Sequence, residues 1–158
     1  MVLRLIFFVS AVSFFLNSCG TVKSHSDQLK ISINHSDISC WLNLMPGEPA
    51  SFHITGNLKV KNLESYEIKE LNLNEIILTQ EDKPVYRFEP VLESLNENIP
   101  GKTLTVGEEK EFRFGVKTGL EVKPELDSEK TVTVHLAFSS GEKIFEHLIS
   151  DIKIEKAY

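Results

Sequence analysis

Apolar and polar positions alternate with a period of two along most of this chain from Leu29 onward. Ser51–Asn62 is the clearest case. Phe52, Ile54, Leu58 and Val60 fall on one side with Gly56 in the same register, and His53, Thr55, Asn57, Lys59 and Lys61 fall on the other. Successive side chains of a strand point to opposite faces, so this row predicts a strand with one buried and one wet face. A glycine inside it marks a bulge or a close backbone approach. Similar rows predict strands over 29–33, 38–44, 71–80, 85–88, 112–116, 132–138 and 143–154. In 71–80 the register slips, because Leu71 and Leu73 are odd while Ile76 and Leu78 are even. One extra residue near Asn74-Glu75 repairs it and predicts a bulge. The stretch 85–88 lies between Pro84 and Pro90, which fits a short edge strand, since proline removes a ladder donor. Ser139-Ser140-Gly141-Glu142 reads as a tight hairpin turn. Residues 120–129, with Pro124 and few periodic apolar positions, read as a long loop with at most one helical turn. The sum is about eight strands and no amphipathic helix. Two antiparallel sheets packed face to face bury such rows, giving an all-β sandwich; an eight-stranded barrel is the alternative.

The N-terminus has a different pattern. Met1 to Arg4 carries one positive charge, and Leu5 to Leu16 is a charge-free apolar run. It has the layout of a secretory signal and is too short to span a bilayer as a helix. Leu16-Asn17-Ser18-Cys19 closes it and resembles the lipobox of bacterial lipoproteins. The resemblance implies a signal peptide over 1–18 and lipid attachment at Cys19, through a diacylglycerol thioether and an N-acyl group. Two or more acyl chains anchor stably. Gly20 stands where Asp retains such lipoproteins at the inner membrane, so the resemblance favours the outer membrane of a bacterial envelope. Residues 19–28 are polar and predict a flexible tether, and 29–158 is the domain.

Two phrases of that domain resemble bacterial immunoglobulin-like or fibronectin-like domains. One is Gly56-Asn57-Leu58-Lys59-Val60-Lys61-Asn62, a strand ending in Asn before a loop. The other is Leu104-Thr105-Val106-Gly107-Glu108, a lead-in to a strand with alternating aromatics. Both also resemble small proteinase-inhibitor-like domains. The paired cysteines of antibody domains are missing, because Cys40 has no later partner.

Composition narrows the function classes. The net charge is −6, which gives no electrostatic footprint for nucleic acid. Five histidines (25, 35, 53, 135 and 147) show no metal-site spacing, although His53, His135 and His147 would converge if their strands were neighbours. There is no GxSxG, no phosphate-binding glycine loop and no EF-hand spacing. Carboxylates at 64, 67, 70, 108, 109 and 111 read as a solvated face, and Cys40, beside the single Trp41, reads as a buried thiol. The expectation is a non-catalytic, lipid-anchored domain without cofactor, metal or small-molecule substrate. Its partners would be the bilayer, through acylated Cys19, and another envelope or extracellular protein. The candidate interaction surface comprises Tyr66 in the loop 62–69, Tyr86 on the edge strand, and Asn98, Pro100 and Gly101 in the loop 96–102. The alternative is a proteinase-inhibitor-like domain that presents the loop 96–102 to a protease cleft.

Overall fold

The structure, a computed structural model, describes residues 28–95 and 101–158. Among them are ten strands: β1 (Ile31–Asn43), β2 (Ser51–Asn62), β3 (Asn72–Gln80), β4 (Lys83–Phe88), β5 (Val91–Ser94), β6 (Glu109–Gly115), β7 (Leu120–Glu121), β8 (Val132–Ser140), β9 (Lys143–Ile152) and β10 (Ile154–Ala157). They form two sheets, one in the order β10-β1-β2-β6-β5 with β7 on β2, the other in the order β4-β3-β8-β9. The fold is an all-β sandwich, and neither sheet closes into the alternative barrel.

The alternating rows supply the core. Phe52, Ile54, Leu58 and Val60 of β2, Phe112 and Phe114 of β6, Ile76 and Leu78 of β3, and Val132, Val134, Leu136 and Phe138 of β8 are all buried. Gly56 completes the β2 row because a neighbouring strand bulges there. Ser36 pairs Asn57 and Ser39 pairs Thr55, so Asp37 and Ile38 together oppose Gly56. A side chain on Gly56 would run into Ile38 and come within 2.6 Å of the Phe114 ring. The bulge predicted in β3 falls between Leu73 and Glu75.

Several expectations need correction. The stretches 29–33 and 38–44 are one strand, β1, kinked at the bulge where Asp37 takes φ +53°. The last predicted strand is two, because Asp151 (φ +62°) and Lys153 carry the chain out of one sheet and into the other. There β10 runs parallel to β1, from Cys40↔Ile154 to Asn43↔Ala157, so the sandwich is not wholly antiparallel. The stretch 120–129 contains no helical turn; it starts with the two-residue β7, paired with Ser51 and Phe52, and continues in turns. Short partners such as β5, β7 and β10 leave too few alternations for periodicity to reveal them.

The sandwich has two ends. The described chain begins at the proximal end, where Gln28 bridges Ile144 and the Leu29 N–H donates to the Ile144 carbonyl at 2.8 Å. The loops 63–71 and 101–108 and the β8–β9 turn lie there too. The distal end holds the β1–β2 loop, the β3–β4 turn at Glu81-Asp82, the segment 122–131 and the C-terminus.

Candidate functional site

The proximal end is built around Asn62, the last residue of the buried β2 row. Its Nδ2 donates to the carbonyls of Tyr66, Leu104 and Thr105 at 2.9, 3.0 and 3.1 Å, and its Oδ1 accepts the Glu64 N–H at 2.8 Å. Two N–H groups serve three acceptors, so one hydrogen is shared. Asn62 thereby fastens the loop 63–71 to the loop 101–108. The isolated pairing of Ile68 with Leu104 repeats that connection through the backbone, at 2.9 and 2.8 Å. Thr105 to Glu108 is a tight turn in which the Glu108 N–H donates to the Thr105 carbonyl and Gly107 takes φ +74°, the left-handed conformation that glycine tolerates best.

Two charged side chains are buried in this frame, and both are compensated. Lys110 occupies the inward row of Phe112 and Phe114, and its Nζ reaches the Thr103 carbonyl and the Glu108 carboxylate. Glu64 was expected on a solvated face but is buried. Its Oε1 accepts from the Lys30 N–H and from Lys143 Nζ, each at 3.1 Å. Burial raises its pKa, but the Lys30 N–H, Lys143 and Tyr66 together outweigh burial and hold the carboxyl below its usual range.

On the outside of this frame sit exposed apolar side chains. Leu63, Tyr66, Val106 and Ile144 are between 45% and 59% exposed. They belong to segments bonded to one another: Leu63 to Lys30, Tyr66 and Thr105 to Asn62, and Ile144 to Leu29. Lys143 Nζ stands 5.1 Å from the Tyr66 ring centroid. Tyr66 is therefore outside, as expected from its loop. Gly101, at φ +135°, opens the described part of the loop that reaches this end. Asn98 and Pro100 lie outside the described residues, as does Cys19.

Tyr86 is not a surface residue. A register shift between Leu78 and Thr79 inserts Val85 as an extra residue in β4, so both Val85 and Tyr86 are buried. The Tyr86 ring stacks on Phe52 with centroids 5.0 Å apart, and its hydroxyl donates to the Glu121 carbonyl at 3.0 Å and accepts the Lys123 N–H at 3.1 Å. Lys123 Nζ also caps the Val85 carbonyl at 2.8 Å, so part of this edge is already occupied.

Chemistry elsewhere is sparse. Cys40 is fully buried, and burial pushes its thiol up to about 12, which removes the thiolate that a nucleophile needs. The three histidines considered together do not meet. His53 stacks on Trp41 on the outer face of its sheet and bonds Ser51, and His135 bonds Thr79 on the other sheet. His147 meets His35 instead, with Nε2 3.2 Å from His35 Nδ1. Burial, and then the neighbouring His35, hold His147 below the usual imidazole value. No group of three His, Cys, Asp or Glu side chains converges on one point among the described residues. A distal cavity of about 400 Å³ is bounded by Glu81, Lys83, Asp127 and Lys130, and its Lys130 is already paired with Glu81.

Asn62, Lys110 and His147 could have been found in the sequence, since each continues an apolar row at the correct spacing. The pairing of His147 with His35 could not, because it depends on two sheet edges meeting across 112 positions of chain. No family model, curated protein or solved structure matches this chain.

Proposed function

We propose that this protein is a lipid-anchored component of a bacterial envelope whose immunoglobulin-like sandwich is a non-catalytic module for contact with another envelope or extracellular protein. The strand order supports the immunoglobulin-like assignment. β1-β2-β6-β5 reproduces the A-B-E-D sheet of that fold and β4-β3-β8-β9 its C′-C-F-G sheet. The lipobox-like Leu16-Asn17-Ser18-Cys19 supports the anchor. One observation carries the contact role: the exposed Leu63, Tyr66, Val106 and Ile144 are mounted on a frame fixed by buried, fully bonded polar groups. Exposed apolar side chains held by a rigid scaffold make contact surfaces without a large entropic cost on binding.

Two measurements test this reading. Cys19→Ala should move the protein from the detergent phase to the aqueous phase and leave the fold intact, because Cys19 precedes every strand among the described residues. A wild-type protein found wholly in the aqueous phase would remove the anchor. For the contact, a photo-crosslinker at Tyr66 should capture a discrete envelope protein, and Ile144→Glu should abolish the capture. Equal capture from a crosslinker at the distal Met45 would relocate the surface.

A further inference from the structure

We propose that His35 and His147 form a two-histidine site for a borderline divalent transition-metal ion, such as zinc or copper(II), that ties the edges of the two sheets together. The inference is independent of the anchor and of the contact surface, and it departs from the expectation that histidine spacing alone suggested.

The site arises from the topology. β1 lies in one sheet and β9 at the edge of the other, and β10 covers β1 only from Cys40 to Asn43. His35 stands just before the β1 bulge, beyond the reach of β10, and is exposed to solvent. His147 belongs to the inward row of β9, between Phe145 and Ile149, and is half-buried. The two rings therefore approach from opposite sheets. His35 Nδ1 and His147 Nε2 are 3.2 Å apart, with ring centroids 5.4 Å apart and planes tilted by 60°.

Two ring nitrogens this close must have a positive centre between them. In the metal-free protein it is one N–H proton. A metal ion meets the same need with a better geometric match. Two nitrogens each about 2.0–2.1 Å from a tetrahedral ion stand about 3.3 Å apart, close to the separation present here. For the ion to enter, the shared proton transfers to the other nitrogen of its own ring. Both imidazoles stay neutral, both lone pairs face the ion, and no net charge is lost. The exposed side of His35 leaves the remaining coordination positions to water or an anion. The nitrogen-only donor pair selects zinc, copper(II) or nickel(II) over calcium and magnesium, which take oxygen ligands. With two protein ligands, affinity should be well below that of a closed four-ligand site.

The test uses the full-length protein in detergent, without a histidine tag, titrated with Zn²⁺ by calorimetry while the imidazole resonances are followed by NMR. The expected result is one ion per chain, with the ring signals of His35 and His147 shifting together. His35→Ala should weaken binding at least about tenfold, and because His35 is exposed this variant should keep the wild-type melting curve. His147→Ala should weaken binding likewise. His53→Ala and His135→Ala should bind as wild type, and Mg²⁺ should give no heat and no shift. Absence of saturable Zn²⁺ binding to the wild type would overturn the site. So would retention of binding in His35→Ala, or an equal loss in His53→Ala.

Discussion

The proximal and distal ends of the sandwich both hold long loops, but they secure them with different chemistry. The distal end uses neutral groups inside and leaves its charges outside. Gln80, buried at the end of β3, donates to the Asp127 carbonyl at 2.8 Å and accepts the Asp127 N–H at 2.9 Å, and Tyr86 clips Glu121 and Lys123. The ion pairs of that end, Lys130 with Glu81 and Asp127 and Lys156 with Glu129, are exposed. The proximal end places Asn62, Glu64 and Lys110 inside, two of them charged. Buried charges lose strong hydration, so they persist only where every partner is present. The proximal frame should therefore depend on its individual bonds and on pH, while the distal end should tolerate the loss of its surface charges.

The shared core between the ends sets the scale. Phe114→Ala should destabilise the domain by about 3–5 kcal/mol in urea melts, because the ring is fully buried and leaves a cavity beneath Gly56. The comparison proper rests on the next pair. Asn62→Ala removes bonds to three carbonyls and one N–H and should cost about 2–4 kcal/mol, as several buried groups lose their partner at once. Gln80→Ala removes two good bonds and should cost about 1–2 kcal/mol. If Gln80→Ala proved the costlier of the two, the asymmetry between the ends would be broken.

Acid should separate the ends further. The folded Glu64 carboxyl lies below its unfolded value, so its contribution is present above the unfolded pKa and is lost as pH falls through the folded one. Glu108 behaves alike, held down mainly by the Thr105 N–H. Glu81, at the distal end, is also lowered, by Lys130, but it is exposed and open to screening. Melts at descending pH should therefore show an acid-sensitive component that survives about 1 M salt and shrinks in Glu64→Gln. An acid sensitivity abolished by salt would assign it to the surface pairs instead.

Much of this was legible in the sequence, and the limits have physical reasons. The rows of β2, β3, β6 and β8 were readable because each has several alternations against one buried face. The β3 bulge was readable because a slip of one residue reverses the facing of everything after it. The same rule would have located the buried polar groups. Asn62 follows Phe52, Ile54, Gly56, Leu58 and Val60 at the same spacing, Gln80 follows Ile76 and Leu78, and Lys110 precedes Phe112 and Phe114. None of the three was assigned to the core from the sequence, although register predicted burial. Tyr86 failed for the converse reason, because the extra residue in β4 turned an apparently outward ring inward. The parallel pairing of β10 with β1 and the meeting of His35 with His147 depend on how the two sheets are joined, and no local pattern encodes that.

The smallest expected effect is the most direct check on the distal end. Lys156 and Glu129 form a close ion pair, but the Glu129 side chain is 79% exposed, so water and salt compete for both partners throughout. Holding two long side chains in one geometry also costs rotamer entropy, and exposed pairs contribute little for these reasons. Lys156 nevertheless sits on β10, whose backbone pairing with β1 joins the C-terminus to the sandwich. Lys156→Ala separates the two contributions, since it deletes the ion pair and leaves the backbone ladder untouched. Its melting midpoint should equal that of the wild type within error at physiological salt, and amide exchange along Cys40 to Asn43 should be unchanged. A loss as large as that of Gln80→Ala, or fast exchange in that stretch, would show that the exposed pair holds β10 in place and that the two ends are secured alike.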